Sequence, residues 1–483
     1  MACCCKSSRA GGCGHGTRGE LERAVEAFGV TRQMEGNQDD RTESRDSFTE
    51  KFMTHLRNRR SIPRETCTIY RVPPEILAVD KQAYLPTVVG LGPYLHDRIK
   101  SSNELKQLQE YKWRCVDKLV SRTSSLIRKC LQRMKDQEQR VRDSYSRDIN
   151  MNSEQLAKKM VLDGCFILHL LLKHADHAPD GDAGAGGQVQ DDDDDDWTQV
   201  IGRCWIWNLV KYDLLLLENQ IPFFVIVDLH ELLRTEPPLP AEKLISSGLQ
   251  LFSALYPLTT PGSFTVSVDQ VHHLLHLVYL SIIPQNLPAA NSPVPQESVH
   301  NVLPSAKELM ESGVKFRKKT NAQSFLDITF TGGVLEIPEL RIYNYSNSLF
   351  RNLIAFEQCY PGTRSHVTAS AAFMDLLVRT VDGARLLHLK GILVNGTAKE
   401  EHVNRFFSQI SSGAHYTADR NYLGSLIEDV VAYHGKRRNR WRAALERNYC
   451  TNPWVIISVL AACVLLLLAV TNTVVALLSR LKH

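Results

Sequence analysis

The chain has 483 residues, of which 43% are hydrophobic and 23% are charged, and its net charge is +4. This length is enough for one large domain or for two or three ordinary ones, and the small net charge argues against a dedicated nucleic-acid-binding protein. The 12 cysteines form no paired or repeated C-x-x-C spacing, which argues against a disulfide scaffold and favours a reducing compartment.

Residues 1–60 are rich in Gly, Ser, Arg, Asp and Glu, and we predict a mostly disordered leader. No apolar run of the secretory type is present, so no signal peptide is predicted. Cys3, Cys4 and Cys5 are candidates for palmitoylation, as is Cys450 near the other end, and a lipid at these positions would strengthen attachment to a bilayer. A leader without that role is the alternative for the first three cysteines.

From residue 61 to residue 450 we predict a single large, mainly helical domain. Apolar residues spaced by three, four and seven predict one long helix over residues 103–142, whose basic outer face favours a solvated surface over a lipid or partner site. Ser153 is predicted to cap a second helix, which is apolar nearly all round over residues 161–172 and therefore belongs inside the fold. Residues 179–196, with six consecutive aspartates, predict a solvated acidic loop.

The second half of the domain combines further helices with a small β element. Two apolar runs, 214–217 and 221–227, are too short to cross a membrane and are predicted to be core. Residues 284–304 contain five prolines and predict an exposed linker, after which residues 305–316 predict a short helix. Near-alternation around Gly332-Gly333 predicts a β-hairpin within residues 325–342, so the fold class is α+β, mainly α.

No complete catalytic, cofactor-binding or metal-binding motif occurs, so we assign no catalytic residue, cofactor or metal. His272, His273 and His276 form H-H-x-x-H, but a general-base Glu and a third ligand are missing, which favours a structural role over zinc. Asp213 and Glu218 lie beside apolar runs, where a carboxylate must be hydrogen-bonded, paired or protonated. A structural role is favoured for both, and an enzyme with a site near these carboxylates and the His272–His276 segment is the alternative.

The C-terminal segment from Trp454 to Leu478 is 25 residues without a charge. As a helix it would be about 37 Å long against a hydrocarbon core of about 30 Å, which predicts a transmembrane helix over residues 453–479, followed by the short tail 480–483. The basic residues that precede the span outnumber Arg480 and Lys482 after it, which places the large domain in the cytosol. These flanking residues are Lys436, Arg437, Arg438, Arg440, Arg442 and Arg447.

With so short a tail, insertion is expected to follow translation, as in tail-anchored proteins. The sequons at Asn344 and Asn395 would then carry no glycan. The sequence alone does not settle whether they are used.

Several ordered blocks together carry a resemblance to a known family. They include IYRVPPEI (69–76), YLPTVVGLGPYLH (84–96), DLLLLENQIPFFV (213–225) and the segment 326–359. With these blocks the chain resembles the plant family known only as domain of unknown function 247, from about residue 69 to residue 478. The resemblance implies a plant protein with a C-terminal membrane helix and no established activity. Some grass members of the family are associated with pollen self-incompatibility, which suggests recognition.

We therefore expect a single-pass, membrane-anchored recognition or scaffolding protein. The sequence favours this class over an enzyme. Its expected partners are the lipid bilayer and other proteins, and not nucleic acid. The sequence does not distinguish the plasma membrane from an internal membrane, nor does it reveal the oligomeric state.

Overall fold

A computed structural model of the chain describes residues 49–54, 67–120, 123–175, 204–233, 240–253, 255, 266–284, 303–343, 345–395, 400–414, 421–437, 439, 441 and 453–481. The chain divides into two compact units, Met1–Ile62 and Pro63–His483. In the first unit the described residues, 49–54, are helical. The predicted acidic loop 179–196 and most of the proline-rich segment 284–304 lie outside the described residues.

The second unit is mainly helical, as the sequence predicts, with a few short strands. The helices of its first half are α1 (Pro74–Leu77), α2 (His96–Ser101), α3 (Asn103–Val120), α4 (Ser124–Asp136), α5 (Glu138–Asp143), α6 (Ser153–Ala175), α7 (Cys204–Asp213), α8 (Phe223–Leu232) and α9 (Ala241–Phe252). Those of its second half are α10 (Leu274–Ile282), α11 (Ala306–Glu311), α12 (Ser346–Cys359), α13 (His366–Leu377), α14 (Val381–Leu389), α15 (Glu400–Ser411), α16 (Gly424–Gly435) and α17 (Pro453–Leu481).

Helix α6 is the central element of the unit, and it packs against α3, α4, α8 and α9. Residues 161–171 are all buried, as the apolar sequence predicts. The cap differs from the prediction by one position, because Asn152 rather than Ser153 accepts the hydrogen bond from the backbone N–H of Gln155, at 2.9 Å. At Gly164 a β-carbon would overlap the side chain of Leu229, so the missing side chain allows α6 and α8 to approach closely.

The single long helix predicted over residues 103–142 is wrong, because the segment forms α3, α4 and α5. The first break lies between Val120 and Ser124, where Thr123 is extended with φ of −83° and ψ of 102°. The second break is at Gln137, whose φ of −91° and ψ of 4° leave the helical region. The positions of the predicted apolar stripe still face the core, since Leu105, Cys130 and Met134 are buried.

The predicted hairpin is confirmed. Strands β2 (Thr329–Thr331) and β3 (Val334–Pro338) pair antiparallel across Gly332-Gly333, both of which have positive φ (60° and 87°), as a two-residue hairpin turn requires. The sequence did not predict β1 (Lys315–Lys319), which pairs parallel with β3, or the parallel pair of β4 (Leu340–Ile342) with β5 (Leu393–Asn395).

The helix predicted over residues 305–316 is also shorter than expected. It begins with a capping box between Ser305 and Glu308 and ends at Glu311. Gly313, with φ of 93°, then redirects the chain, so that Phe316 lies in β1. The backbone freedom of this glycine explains why the helical pattern stops before its predicted end.

The C-terminal segment is helical, as predicted, over the 29 residues of α17. Its side chains are described at residues 457–458, 460–475 and 478, and all of these are exposed. Over the described residues, no helix of the protein is both long enough and apolar enough to cross a membrane. The predicted transmembrane helix is therefore not confirmed.

Candidate functional site

A buried polar frame surrounds the non-helical segment 85–95, whose backbone needs hydrogen-bond acceptors from elsewhere. Asp213, at the end of α7 and 3% exposed, supplies two oxygens for three N–H groups. Its carboxylate accepts the backbone N–H groups of Thr87, Val88 and Val89 at distances between 2.7 and 3.0 Å. Burial raises the pKa of Asp213 to about 7, although these three donors act to lower it.

Asn219 and Gln220, which come after Glu218, extend this group of polar contacts. Asn219 accepts the N–H of Leu91 at 2.5 Å through Oδ1, and its amide donates to the carbonyls of Val89 and Asp213. Gln220 donates to two carbonyls of the same run, at 2.7 and 2.8 Å. The run itself is buried, as predicted.

A buried ion pair holds the other end of the segment. Lys112 on α3 and Asp163 on α6 are fully buried, with Nζ 2.6 Å from Oδ1, and Lys112 also donates to the carbonyl of Gly90. Lys159 lies 2.9 Å from the second oxygen of Asp163, which also accepts the N–H of Gly92. Burial lowers the pKa of Lys112 to about 8, whereas the two lysines outweigh burial at Asp163 and lower the pKa of that carboxyl.

Glu218 takes part in the same group of polar contacts. Its Oε2 accepts from Arg71 at 2.7 Å, and its Oε1 accepts the N–H of Val72 at 2.9 Å. The guanidinium of Arg71 also lies 4.1 Å from the centroid of the Tyr94 ring. All four carboxylate oxygens of Asp213 and Glu218 therefore have donors within the protein, which is the arrangement of structural anchors.

The three histidines of the H-H-x-x-H motif are not all on one helix, because α10 begins at Leu274. His273 caps that helix, with Nδ1 accepting the N–H of His276 at 3.2 Å, so its Nε2 carries the proton and donates to the carbonyl of Thr68 at 3.0 Å. Burial lowers the pKa of His273 to about 3 and that of His276 to about 2, so both are neutral at pH 7. In the described part of the chain, no three potential ligands are placed to hold a metal ion.

An open cavity of about 530 Å³ lies beside this histidine segment, with His272 in its wall. Charged and aromatic side chains from α5, α8 and the 3₁₀ helix Val268–Gln270 form much of its lining: Arg140, Asp143, Phe224, Asp228, Glu231 and Asp269. Sequence reasoning missed this cavity. The lining residues are far apart in the chain, and nothing in their local patterns indicates that they meet.

The remaining predicted site residues lie at the C-terminal end or outside the described residues. Lys436 and Arg437 of the basic flank are exposed. Leu478, at the end of the predicted span, is 58% exposed. The side chain of Trp454 is outside the described residues, and so are four flanking arginines and the palmitoylation candidates: Arg438, Arg440, Arg442, Arg447, Cys3, Cys4, Cys5 and Cys450.

Three arginines of the basic outer face predicted for residues 103–142 contact other side chains or backbone carbonyls, although Arg140 stays exposed. Arg133 pairs with Asp228 at 3.1 Å, and Arg140 lies over the Phe224 ring, 3.8 Å from its centroid. Arg142 donates to the carbonyls of residues 149 and 151 and pairs with Glu138. These arginines therefore shape the fold and the cavity, while Arg128 and Lys129 remain on the exposed surface.

The fold just described defines a mainly helical domain whose irregular segments are held by buried carboxylate, amide and lysine groups. The sequence blocks that supply these groups are matched by the family model of domain of unknown function 247 (DUF247), described as a plant protein of unknown function, over residues 69–468. The chain belongs to this family.

Two curated relatives from Arabidopsis thaliana are similar over most of their length. UPF0481 protein At3g47200 is 28% identical over 453 residues, covering 87% of this chain and 88% of the relative. Putative UPF0481 protein At3g02645 is 21% identical over 498 residues, covering 83% and 89% respectively. No solved structure matches this chain.

Proposed function

We propose that this protein is a single-pass, membrane-anchored recognition or scaffolding protein, whose helical domain binds partner proteins at a membrane surface. The observation that carries the proposal is the exposure of four consecutive leucines on α17, residues 465–468, which are between 55% and 67% exposed. Four consecutive residues point to every face of an α-helix, because one turn takes 3.6 residues. A helix with leucines exposed all round favours lipid over water as its surroundings.

The sequence around these leucines supports a span. The uncharged stretch from Trp454 to Leu478 would be about 37 Å long as a helix, against a hydrocarbon core of about 30 Å. Pro453 is favourable in the first turn of a helix, and Trp454 is of a type enriched at the membrane interface.

The charges on the two sides of the helix support a cytosolic orientation for the large domain. Six basic residues precede the span over residues 436–447, and two follow it, Arg480 and Lys482. Basic residues near a span are retained on the cytosolic side. In this orientation Asn344 and Asn395 never meet the glycosylation machinery.

The contacts of Asp213 and Glu218 argue against the alternative, an enzyme whose site includes these carboxylates. A general acid or base needs an oxygen that can reach a substrate. The oxygens of Asp213 are engaged by backbone N–H groups at 3% exposure, and those of Glu218 are engaged by Arg71 and Val72. The geometry therefore does not favour an enzyme built on these carboxylates.

Alkaline carbonate extraction of plant microsomes tests the anchor. The full-length chain with an N-terminal tag is expected to stay in the membrane pellet, whereas a matched variant without residues 453–483 is expected in the supernatant. Protease added to intact microsomes should remove the tag from the full-length chain. Release of the full-length chain by carbonate would overturn the proposal, and protection of the tag would reverse the orientation.

Proximity labelling in plant cells tests the recognition part. The intact protein is expected to label a defined set of membrane-associated proteins, and the variant without residues 453–483 is expected to lose that set while still labelling cytosolic proteins. A purified full-length chain with a turnover that disappears in Glu218→Gln would instead identify an enzyme.

A further inference from the structure

The cavity beside His272 carries an excess of negative charge. Asp143, Asp228, Glu231 and Asp269 all contribute to its lining. They come from α5, from α8 and from the 3₁₀ helix before α10, so three separate elements bring carboxylates to one concave surface. Because the described lining contains one basic residue with a permanent charge, Arg140, the carboxylates are only partly compensated there.

The two nearby arginines are already engaged. Arg140 lies over the ring of Phe224, 3.8 Å from the centroid, and Arg133 reaches Oδ1 of Asp228 at 3.1 Å from α4. The second oxygen of Asp228 is buried and has no hydrogen-bond partner among the described residues. Burial raises the pKa of Asp228, and the charge of Glu231 raises it further, whereas Arg133 lowers it. A cation in the cavity would therefore stabilise the ionised form of this carboxylate.

The histidine in the wall adds no charge at neutral pH. Burial lowers the pKa of His272 below its ordinary value of 6.5, and its Nε2 lies 2.8 Å from the hydroxyl of Tyr360. The described residues also place no set of three potential ligands for a metal ion here. A dispersed set of carboxylates suits a larger cation with several N–H donors better than a metal ion.

Part of the cavity is apolar. Phe224, Val227, Val268 and Val271 contribute to the lining alongside the acidic residues. An alkyl chain could pack against these side chains while its charged end remains near the carboxylates, as the stems of lysine and arginine do on protein surfaces. The volume of about 530 Å³ falls within the range of about 300–1,000 Å³ that small-molecule sites occupy.

We propose that this cavity binds an organic cation, a primary amine or a guanidine on an alkyl stem. The cationic group lies among Asp228, Glu231 and Asp269, and the stem packs on Phe224 and the neighbouring valines. The cation is either a free amine or the side chain of a lysine or arginine in a partner protein, since both carry the same chemistry. The proposal goes beyond the proposed anchoring and does not depend on it.

Isothermal titration calorimetry on the full-length chain in detergent tests this site. The probes are agmatine, a free guanidine with an alkyl stem, and Nα-acetyl-arginine amide, a peptide-like side chain. Guanidinium chloride is the control without a stem, and glutarate is the anionic control. At least one of the two probes is expected to bind at least tenfold more tightly than guanidinium, with an affinity that falls as salt is raised, and glutarate is expected not to bind.

Variants locate the binding. Glu231→Gln and Asp269→Asn change exposed side chains and are expected to weaken binding about tenfold each. Asp228→Asn is expected to weaken binding more than either of these variants. Because this substitution also removes the ion pair with Arg133, the thermal unfolding of the variant is measured separately. Glu242→Gln on α9 is the matched control, since this exposed carboxylate is outside the cavity, and it should leave the affinity unchanged.

The outcomes separate the possible sources of the cation. Binding of acetyl-arginine amide alone supports a partner side chain as the occupant, and binding of agmatine alone supports a free amine. Equal affinity for guanidinium and for both probes would overturn the proposal. Affinities that are unchanged in folded Glu231→Gln and Asp269→Asn would overturn it as well.

Discussion

Lys112 and Asp163 form an ion pair of 2.6 Å in which neither side chain has any exposed surface. The pair joins α3 to α6, and the same two groups hold the backbone of the segment 85–95 through the carbonyl of Gly90 and the N–H of Gly92. Charges at such a site are costly to bury unless every one of them has a partner. The family block at residues 84–96 thus meets α3 and α6 at one polar contact inside the domain.

Removal of one partner should therefore be strongly destabilising. Lys112→Met is expected to lower the free energy of unfolding by about 3–5 kcal/mol, because Asp163 would lose one of its two cations while it stays buried. Urea unfolding followed by circular dichroism measures the change. Lys129→Met removes an exposed lysine from α4 and should cost less than about 0.5 kcal/mol. Equal losses in the two variants would contradict the assigned role of the buried pair.

The raised pKa of Asp213, about 7, predicts a pH-dependent stability. The folded state holds this proton more tightly than the unfolded state, whose pKa is about 3.8, so the contribution of Asp213 is fully present below pH 4 and is lost as the pH rises to 7. In Asp213→Asn, which cannot titrate, the free energy of unfolding should depend less on pH over this window. The variant should also be less stable, since its NH₂ group would face backbone donors. An unchanged pH dependence would contradict the prediction.

His276 should act in the opposite direction. Burial lowers its pKa to about 2, well below the 6.5 of an unfolded chain, so its contribution to stability is present above pH 6.5 and is lost as the pH falls. His276→Leu is expected to flatten the acid side of the stability profile between about pH 6.5 and pH 4. The measurement is thermal unfolding over that range. A profile as steep as that of the unaltered chain would show that the imidazole is not held neutral.

The hairpin and the central helix were predictable because their signals are local. Alternation on both sides of Gly332-Gly333 predicts the turn, and the uninterrupted apolar run in α6 predicts burial. The parallel partners of β3 and β4 were not predictable, since no local pattern shows that the basic strand β1 or the short strand β5 lies beside them. The cavity shows the same limit, because Arg140, Phe224 and Asp269 meet only after three separate elements have packed.

The close packing of α6 on α8 should make Gly164 sensitive to substitution. In Gly164→Ala the new methyl group would overlap Leu229, and the neighbouring helices would have to shift, at an expected cost of about 1–3 kcal/mol. Gly435→Ala, at the end of α16, is the matched control because a β-carbon there would meet nothing within 4 Å. If both variants unfold at the same denaturant concentration, the helices are not in the contact described here.

Charge substitutions along α17 should separate a lipid environment from a protein one. An arginine near the centre of a membrane span costs about 2.5–3.5 kcal/mol in insertion, whereas one near the end costs much less, because its side chain can reach the interface. Leu466→Arg lies at the middle of the uncharged stretch, and Leu478→Arg lies at its end. We expect carbonate to release more of the first variant than of the second. If α17 instead packed on a partner protein, release would depend on which face of the helix carries the arginine. It would not depend on how far the arginine lies from the end of the stretch. A third variant places an arginine on another face near the end of the stretch. The proposed span would be contradicted if the first two variants were released equally and the third were released strongly.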